Sequence, residues 1–171
     1  TALDQTPTGA PCRQCLLLPT SLIPWDNCGP CPCGPEETPE CCSGQVGLAI
    51  TNVYGSSRFP TPLAGETWAH CNPRYWVARV LASVTRCVPS MEQDGSPPSC
   101  EDELVAAIIL ENDRTATRQA IACCLQALHV STPARVSQWS IGNSQTVGEL
   151  GACAGSETEF WIGVLACPCP G

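Results

Sequence analysis

The residues with the most chemical potential in this chain are its cysteines. They number fifteen in 171 residues, close to the density that marks disulfide scaffolds in short secreted chains. Cys28-Gly29-Pro30-Cys31 has the spacing of a thioredoxin-type dithiol, with Trp25 nearby. That chemistry needs a buried strand before the pair. It also needs a helix beginning at the first cysteine, which lowers the thiol pKa. Here Pro32, Cys33, Gly34 and Pro35 follow, and they would break such a helix in its first turn. A Cys/Pro-rich loop accounts for the segment better than thiol redox catalysis does.

A second constellation is a pair of CxxC units. Cys12 and Cys15, then Cys28 and Cys31, have zinc-knuckle spacing, and four thiolates make a plausible tetrahedral site. Extra cysteines at 33, 41 and 42 blur the pattern, and the prolines do not favour the glycine-bearing turns of a zinc ribbon. Disulfides, structural zinc and unbonded or intermolecular thiols all stay open here. Because fifteen is odd, complete internal pairing is impossible. No other cofactor is expected.

Further along, Cys87 and Cys100 bracket a turn-rich segment. A disulfide between them would close a loop of about 13 residues, worth roughly 3 kcal/mol in the chain-entropy model. Cys123 and Cys124 are adjacent, so on a helix they cannot share a face. One is expected in the core, and the other could reach toward Cys41 or Cys42. Alternatively both are buried thiols that behave as small hydrophobes.

No catalytic residue is assigned. His70 stands beside Cys71 without the Asn or Asp context of a nucleophile pair, and His129 is remote from both. Asp102 and Glu103 fit the first turn of a helix, while Glu157 and Glu159 fit a solvated strand face. No dinucleotide fingerprint, P-loop, nucleophile elbow or zincin motif is present. All eight basic residues are arginine, so a Walker lysine, a Schiff base and a Ser-Lys pair are excluded. Sixteen acids give a net charge of −8, which argues against gripping phosphates. The expectation is a structural protein without enzymatic activity.

Residues 1–10 lack the basic start and apolar core of a secretory signal, and a start at Thr1 is what removal of an initiator Met would leave. The longest apolar runs, such as Leu104–Leu110, fall short of the roughly 18–20 residues of a membrane span. Synthesis in a reducing cytoplasm is expected, in a chain whose thiols suit an oxidising place. A particle assembled in a cytoplasm and later released reconciles the two.

The elements that position these residues follow from periodicity. Residues 1–44 hold seven cysteines amid prolines and read as an irregular N-terminal arm. From Gln45 the pattern becomes a strand, with Val46, Leu48 and Ile50 alternating. Residues 52–65 read as a loop. Arg74–Arg86 is the strongest strand, with Trp76, Ala78, Val80, Ala82 and Val84 on one face. The other face carries Val77, Arg79, Leu81, Ser83 and Thr85.

A long helix then starts after Ser99, which with Asp102 resembles a capping box. Its acidic first turn, Glu101–Glu103, suits the helix dipole. Val105, Ile109, Ala116, Ala120, Cys123 and Ala127 form its expected inward stripe, with Glu111, Thr115, Arg118 and Gln126 opposite. Leu104 and Ile108 fall near the polar side and are candidate contacts with another chain. Pro133 ends the element. Two strands close the domain, residues 135–141 and 158–166, joined by a glycine-rich loop at 142–155. Residues 167–171 are a tail. The predicted class is α+β, a mostly antiparallel sheet with one long helix packed on it, and the domain spans residues 45–166.

In this order the motifs resemble a family. WDNC, CCSGQVGLAITNVYGSSRFP, RYWVARVLASVTRCVP, RQAIACCL and GACAGSETEFWIGVLA look like segments of the small cysteine-rich neck proteins of tailed actinobacteriophages. Those are similar to tail terminators. The resemblance spans roughly residues 25–166, and lies in the order of the motifs more than in any one of them. Pro32–Pro39 and the N-terminal extension depart from it and inherit nothing. The resemblance implies a virion protein assembled in the bacterial cytoplasm. It would form a ring, expected to be a hexamer, that caps the tail tube and meets the head-completion or connector protein. DNA would pass through the lumen without specific binding. Adaptor or head-closure protein of the same neck is the alternative. A zinc-binding or thiol-redox protein comes after both.

Overall fold

The computed structural model describes residues 13–18, 44–63, 74–91, 95–133, 135–150 and 153–166. They form one five-stranded sheet and one helix. The strands are β1 (Arg13–Leu18), β2 (Gly44–Ser56), β3 (Tyr75–Cys87), β4 (Gln138–Leu150) and β5 (Cys153–Leu165), and the helix α1 is Cys100–Ser131. The sheet order is β1-β2-β3-β5-β4. Only the β1–β2 pair is parallel; the other three are antiparallel. The α+β class with one helix on a mostly antiparallel sheet is as expected.

Three boundaries differ from the sequence reading. Arg13–Leu18 lies within the supposed irregular arm, yet pairs with β2 as an edge strand. The run RQCLLL has no proline between Pro11 and Pro19, which is long enough for a short ladder. The rest of the arm lies outside the described residues, as does the 167–171 tail. Second, β2 continues through Ser56 rather than stopping at Thr51. A register shift between Ile50 and Asn52 breaks the alternation there and hides the strand from a period-two reading.

Third, the expected 142–155 loop is strand on both sides of the short segment between β4 and β5. Shifts at Ile141/Ser144 and Val147/Leu150 disguise β4 in the same way. Gly155, in the supposed turn, lies directly against β3, where a Cβ would meet the Val84 carbonyl oxygen at 2.3 Å. Gly44 opens β2 at φ +139, and a Cβ there would meet the Thr85 carbonyl oxygen at 2.1 Å.

β3 and β4 both run antiparallel to β5, so they are parallel to each other. A parallel return needs a crossover, and α1 supplies it across one face. Ser99 caps the helix: its Oγ accepts from the Asp102 amide at 3.1 Å and donates to the Asp102 carboxylate at 2.6 Å. At the other end the Thr132 amide donates to the Leu128 carbonyl, and Pro133 follows. Val80, Ala82, Leu125 and Phe160 form the core cluster beneath the helix. Ala78, Ile121, Trp139, Ile141 and Ile162 pack against it. Val80 and Ala82 of β3 and Phe160 and Ile162 of β5 therefore share one side of the sheet.

The inward stripe of α1 is not the expected one. Val105, Cys123 and Ala127 are exposed, while Asp113, Thr117 and Leu125 are buried. The reading followed apolar residues, and the real edge carries two polar ones. Their spacing, 110-113-117-121-125, is as regular as any apolar stripe.

On the opposite face, Phe59 packs edge-on against Tyr75, with centroids 6.4 Å apart. The Tyr54 hydroxyl donates to the Pro60 carbonyl at 2.6 Å. These contacts fold residues 57–63, with their cis Phe59–Pro60 bond, against the sheet.

Candidate functional site

The helix is fastened to the sheet by polar contacts at its middle. Arg86 Nε donates to Asp113 Oδ2 at 2.6 Å and Nη2 to Oδ1 at 3.3 Å, with both side chains almost wholly buried. Farther along, Arg114 donates to the Ser144 carbonyl, and Arg118 to the Gly142 carbonyl at 2.7 Å. Gly142 and Asn143 stand at the β4 irregularity, where the ladder leaves carbonyls available. The Ser144 hydroxyl also meets Thr158 Oγ1 at 2.9 Å. This polar cleft holds the helix over β4, and its arginines are largely occupied with that task. None of these residues was singled out as a site from sequence. The one usable signal was Asp113 recurring at helical spacing among inward residues.

The fastening has a consequence for surface. Asp113 meets Arg86 near the end of β3, and Leu125 meets Val80, so the helix runs back along the strand. Its covered part begins near residue 109. Positions 100–105, 107 and 108 are exposed, and the leading turns reach beyond the sheet. There Leu104, Val105 and Ile108 are 61%, 51% and 52% exposed. Ile108 lies four residues after Leu104 and three after Val105 and so neighbours both on the helix surface, and the three form one apolar patch around it. Glu101 and Glu103 flank it, both exposed.

The second surface lies on the helix side of the sheet, where α1 does not reach. Leu48, Ile50, Val53, Trp76, Ala78 and Val80, with Phe160, Ile162 and Val164, line a groove of about 310 Å³. Ile50, Val53 and Trp76 are 43%, 58% and 40% exposed. Sequence periodicity places Trp76, Ala78 and Val80 on one face of the strand with Ala82 and Val84. Only part of that face has a helix over it.

The cysteines fall differently from expectation. Cys87 is not bonded to Cys100, and the thiols of Cys100, Cys123 and Cys124 are exposed and in no disulfide. Cys87 is half-buried opposite Cys153 in the ladder, whereas Cys100 is the outward first residue of α1. Neither Cys123 nor Cys124 is in the core, because the inward edge runs through Ile121 and Leu125. Cys41 and Cys42, the partners considered for them, lie outside the described residues. Cys153 is disulfide-bonded and buried, a pairing no sequence signal indicated.

Of the zinc candidates, Cys12, Cys28 and Cys31 lie outside the described residues, and Cys15 is placed only by its backbone in β1. Among the described residues, no group of three or more His, Cys, Asp or Glu could hold a metal ion. No helix there is long and apolar enough to cross a membrane. The remaining candidates have plain roles. His129 Nδ1 contacts the Val136 carbonyl at 3.0 Å. Glu159 pairs with Arg79, and Glu157 accepts from Gln145.

Comparison with known protein families, curated proteins and solved structures finds no match to this chain.

Proposed function

We propose that this protein is a structural subunit that closes into a ring through contacts between identical copies. We further propose that the ring is the tail terminator of a tailed phage. In this reading it caps the tail tube at the head–tail junction and faces the head-completion protein. It has no catalytic role and needs no cofactor.

One observation carries the ring: the subunit exposes apolar side chains in two separate places, the leading turns of α1 and the sheet groove. A closed ring with one subunit type requires two different patches, one for each neighbour. The phage assignment draws on the motif order in residues 25–166 and on the lysine-free composition. A net charge of −8 also suits a lumen past which DNA slides without sticking.

Light scattering coupled to size exclusion, with negative-stain microscopy of the same peak, tests the reading. The expected result is a closed six-fold ring. A twelve-fold ring moves the protein to the adaptor layer of the neck. A monodisperse monomer at high concentration, and in material released from particles, overturns the ring altogether.

A further inference from the structure

Arg118 is held at one nitrogen and open at the other two. Its Nη1 donates to the Gly142 carbonyl at 2.7 Å and to Ser144 Oγ at 3.3 Å, which fixes the guanidinium against the β4 irregularity. Nε and Nη2 carry no hydrogen bond among the described residues. Their N–H groups lie side by side on one edge of the planar fork, the arrangement that grips both oxygens of a carboxylate. The side chain is exposed, and no acidic residue among those described pairs with it.

The surroundings fit an anion. Arg118 lines a cleft of about 430 Å³ together with Arg114, Thr115, Gln119, Asn143 and Ser144, and no described carboxylate lines it. Arg114 stands one turn away on the same helix face, where like charges repel. Glu111 holds Arg114 at 2.7 Å, so the cleft keeps one uncompensated positive charge in a chain whose net charge is −8. A single positive charge balances a monoanion, and the field of an acidic chain disfavours polyphosphates and nucleic acid. The amides of Gln119 and Asn143 and the hydroxyl of Thr115 suit polar substituents on the guest better than an alkyl tail.

We propose that the cleft between the middle of α1 and the β4 irregularity binds a small polar carboxylate, gripped by the Nε–Nη2 edge of Arg118. The bond to Gly142 positions the fork before the ligand arrives, so little ordering is left to the binding step. The cleft is separate from both apolar surfaces, and the site stands or falls independently of the ring reading.

Saturation-transfer NMR on the full-length protein tests it in monomer or ring alike, with acetate as the probe and its methyl signal as the readout. The expected result is saturable binding with a dissociation constant on the order of 10 mM, weak because one exposed fork carries it. Chloride at matched ionic strength should not displace acetate, and L-lactate should displace it better than propionate or phosphate does. Arg118→Gln should abolish the signal. Arg118→Lys, which keeps the charge and loses the fork, should bind about tenfold more weakly. Glu111→Gln leaves the Arg118 bonds in place at an exposed position and should bind about threefold more tightly. It keeps the test decisive should Arg118→Gln fail to fold, which circular dichroism shows.

Absence of saturable binding in the wild type, or an unchanged signal in folded Arg118→Gln, overturns the site. Equal affinity in Arg118→Lys overturns the fork, and equal affinity in Glu111→Gln overturns the charge count. Displacement by phosphate ahead of L-lactate overturns the choice of a carboxylate.

Discussion

At the scale of single residues, the structure turns on a buried ion pair. Removing one member of such a pair strands the other charge in the interior, which costs about 3–5 kcal/mol, whereas replacing both by apolar residues is often neutral or better. Asp113→Ala is therefore expected to lower the urea midpoint sharply, and Arg86→Met with Asp113→Leu to recover most of the loss. An equal loss in single and double variants would contradict this account.

Tyr54 offers a pH-dependent counterpart. Burial raises its phenol above the ordinary 10.0, opposed by the Arg79 charge and a hydrogen bond involving Trp161. The folded state thus holds the proton more tightly than the unfolded one. The corresponding stability is present below pH 10.0 and is lost as pH rises through the folded-state value. Tyr54→Phe should cost about 1 kcal/mol at neutral pH through the lost bond to Pro60. Thermal melts should show the gap to wild type narrowing above pH 10.0.

At the scale of elements, legibility tracked unbroken periodicity. β3 has an uninterrupted two-residue alternation, and its residue range was readable to within one position. β2 and β4 carry register shifts, and each shift moves later side chains to the other face, so half of each strand read as loop. The N-terminus of α1 was legible because Ser99 and Asp102 satisfy a local requirement. The inward stripe was not, because Asp113 and Thr117 occupy it, and only the distant Arg86 makes a buried Asp113 acceptable. The candidate surface was half legible. Leu104 and Ile108 stood out as apolar residues off the stripe, whereas the groove depends on where the helix stops covering the sheet. Ser99→Ala should cost about 1 kcal/mol, seen as a lower melting temperature. Amide exchange should quicken in residues 100–105, with little change near Leu125.

At the scale of the whole molecule, the described cysteines divide by environment. Cys100, Cys123 and Cys124 are exposed thiols on one helix, and Cys153 is buried in a disulfide. Brief treatment of the native protein with a maleimide, followed by peptide mapping, should label the three helical thiols and spare Cys153. Cys153 should react only after reduction and unfolding. Labelling of Cys153 without reduction would show that the disulfide is not formed.

The strand order also bears on how the chain is made. β5 is the last of the five strands in sequence, yet it sits inside the sheet between β3 and β4. Until it emerges from the ribosome, β3 lacks one neighbour and β4 has none. Everything translated earlier, the 32-residue helix included, waits on a platform two strands short. Folding of the sheet is therefore delayed until β5 has been made. A nascent chain stalled before residue 153 would show the unsatisfied edge of β3 to whatever chaperone or sister chain is nearby.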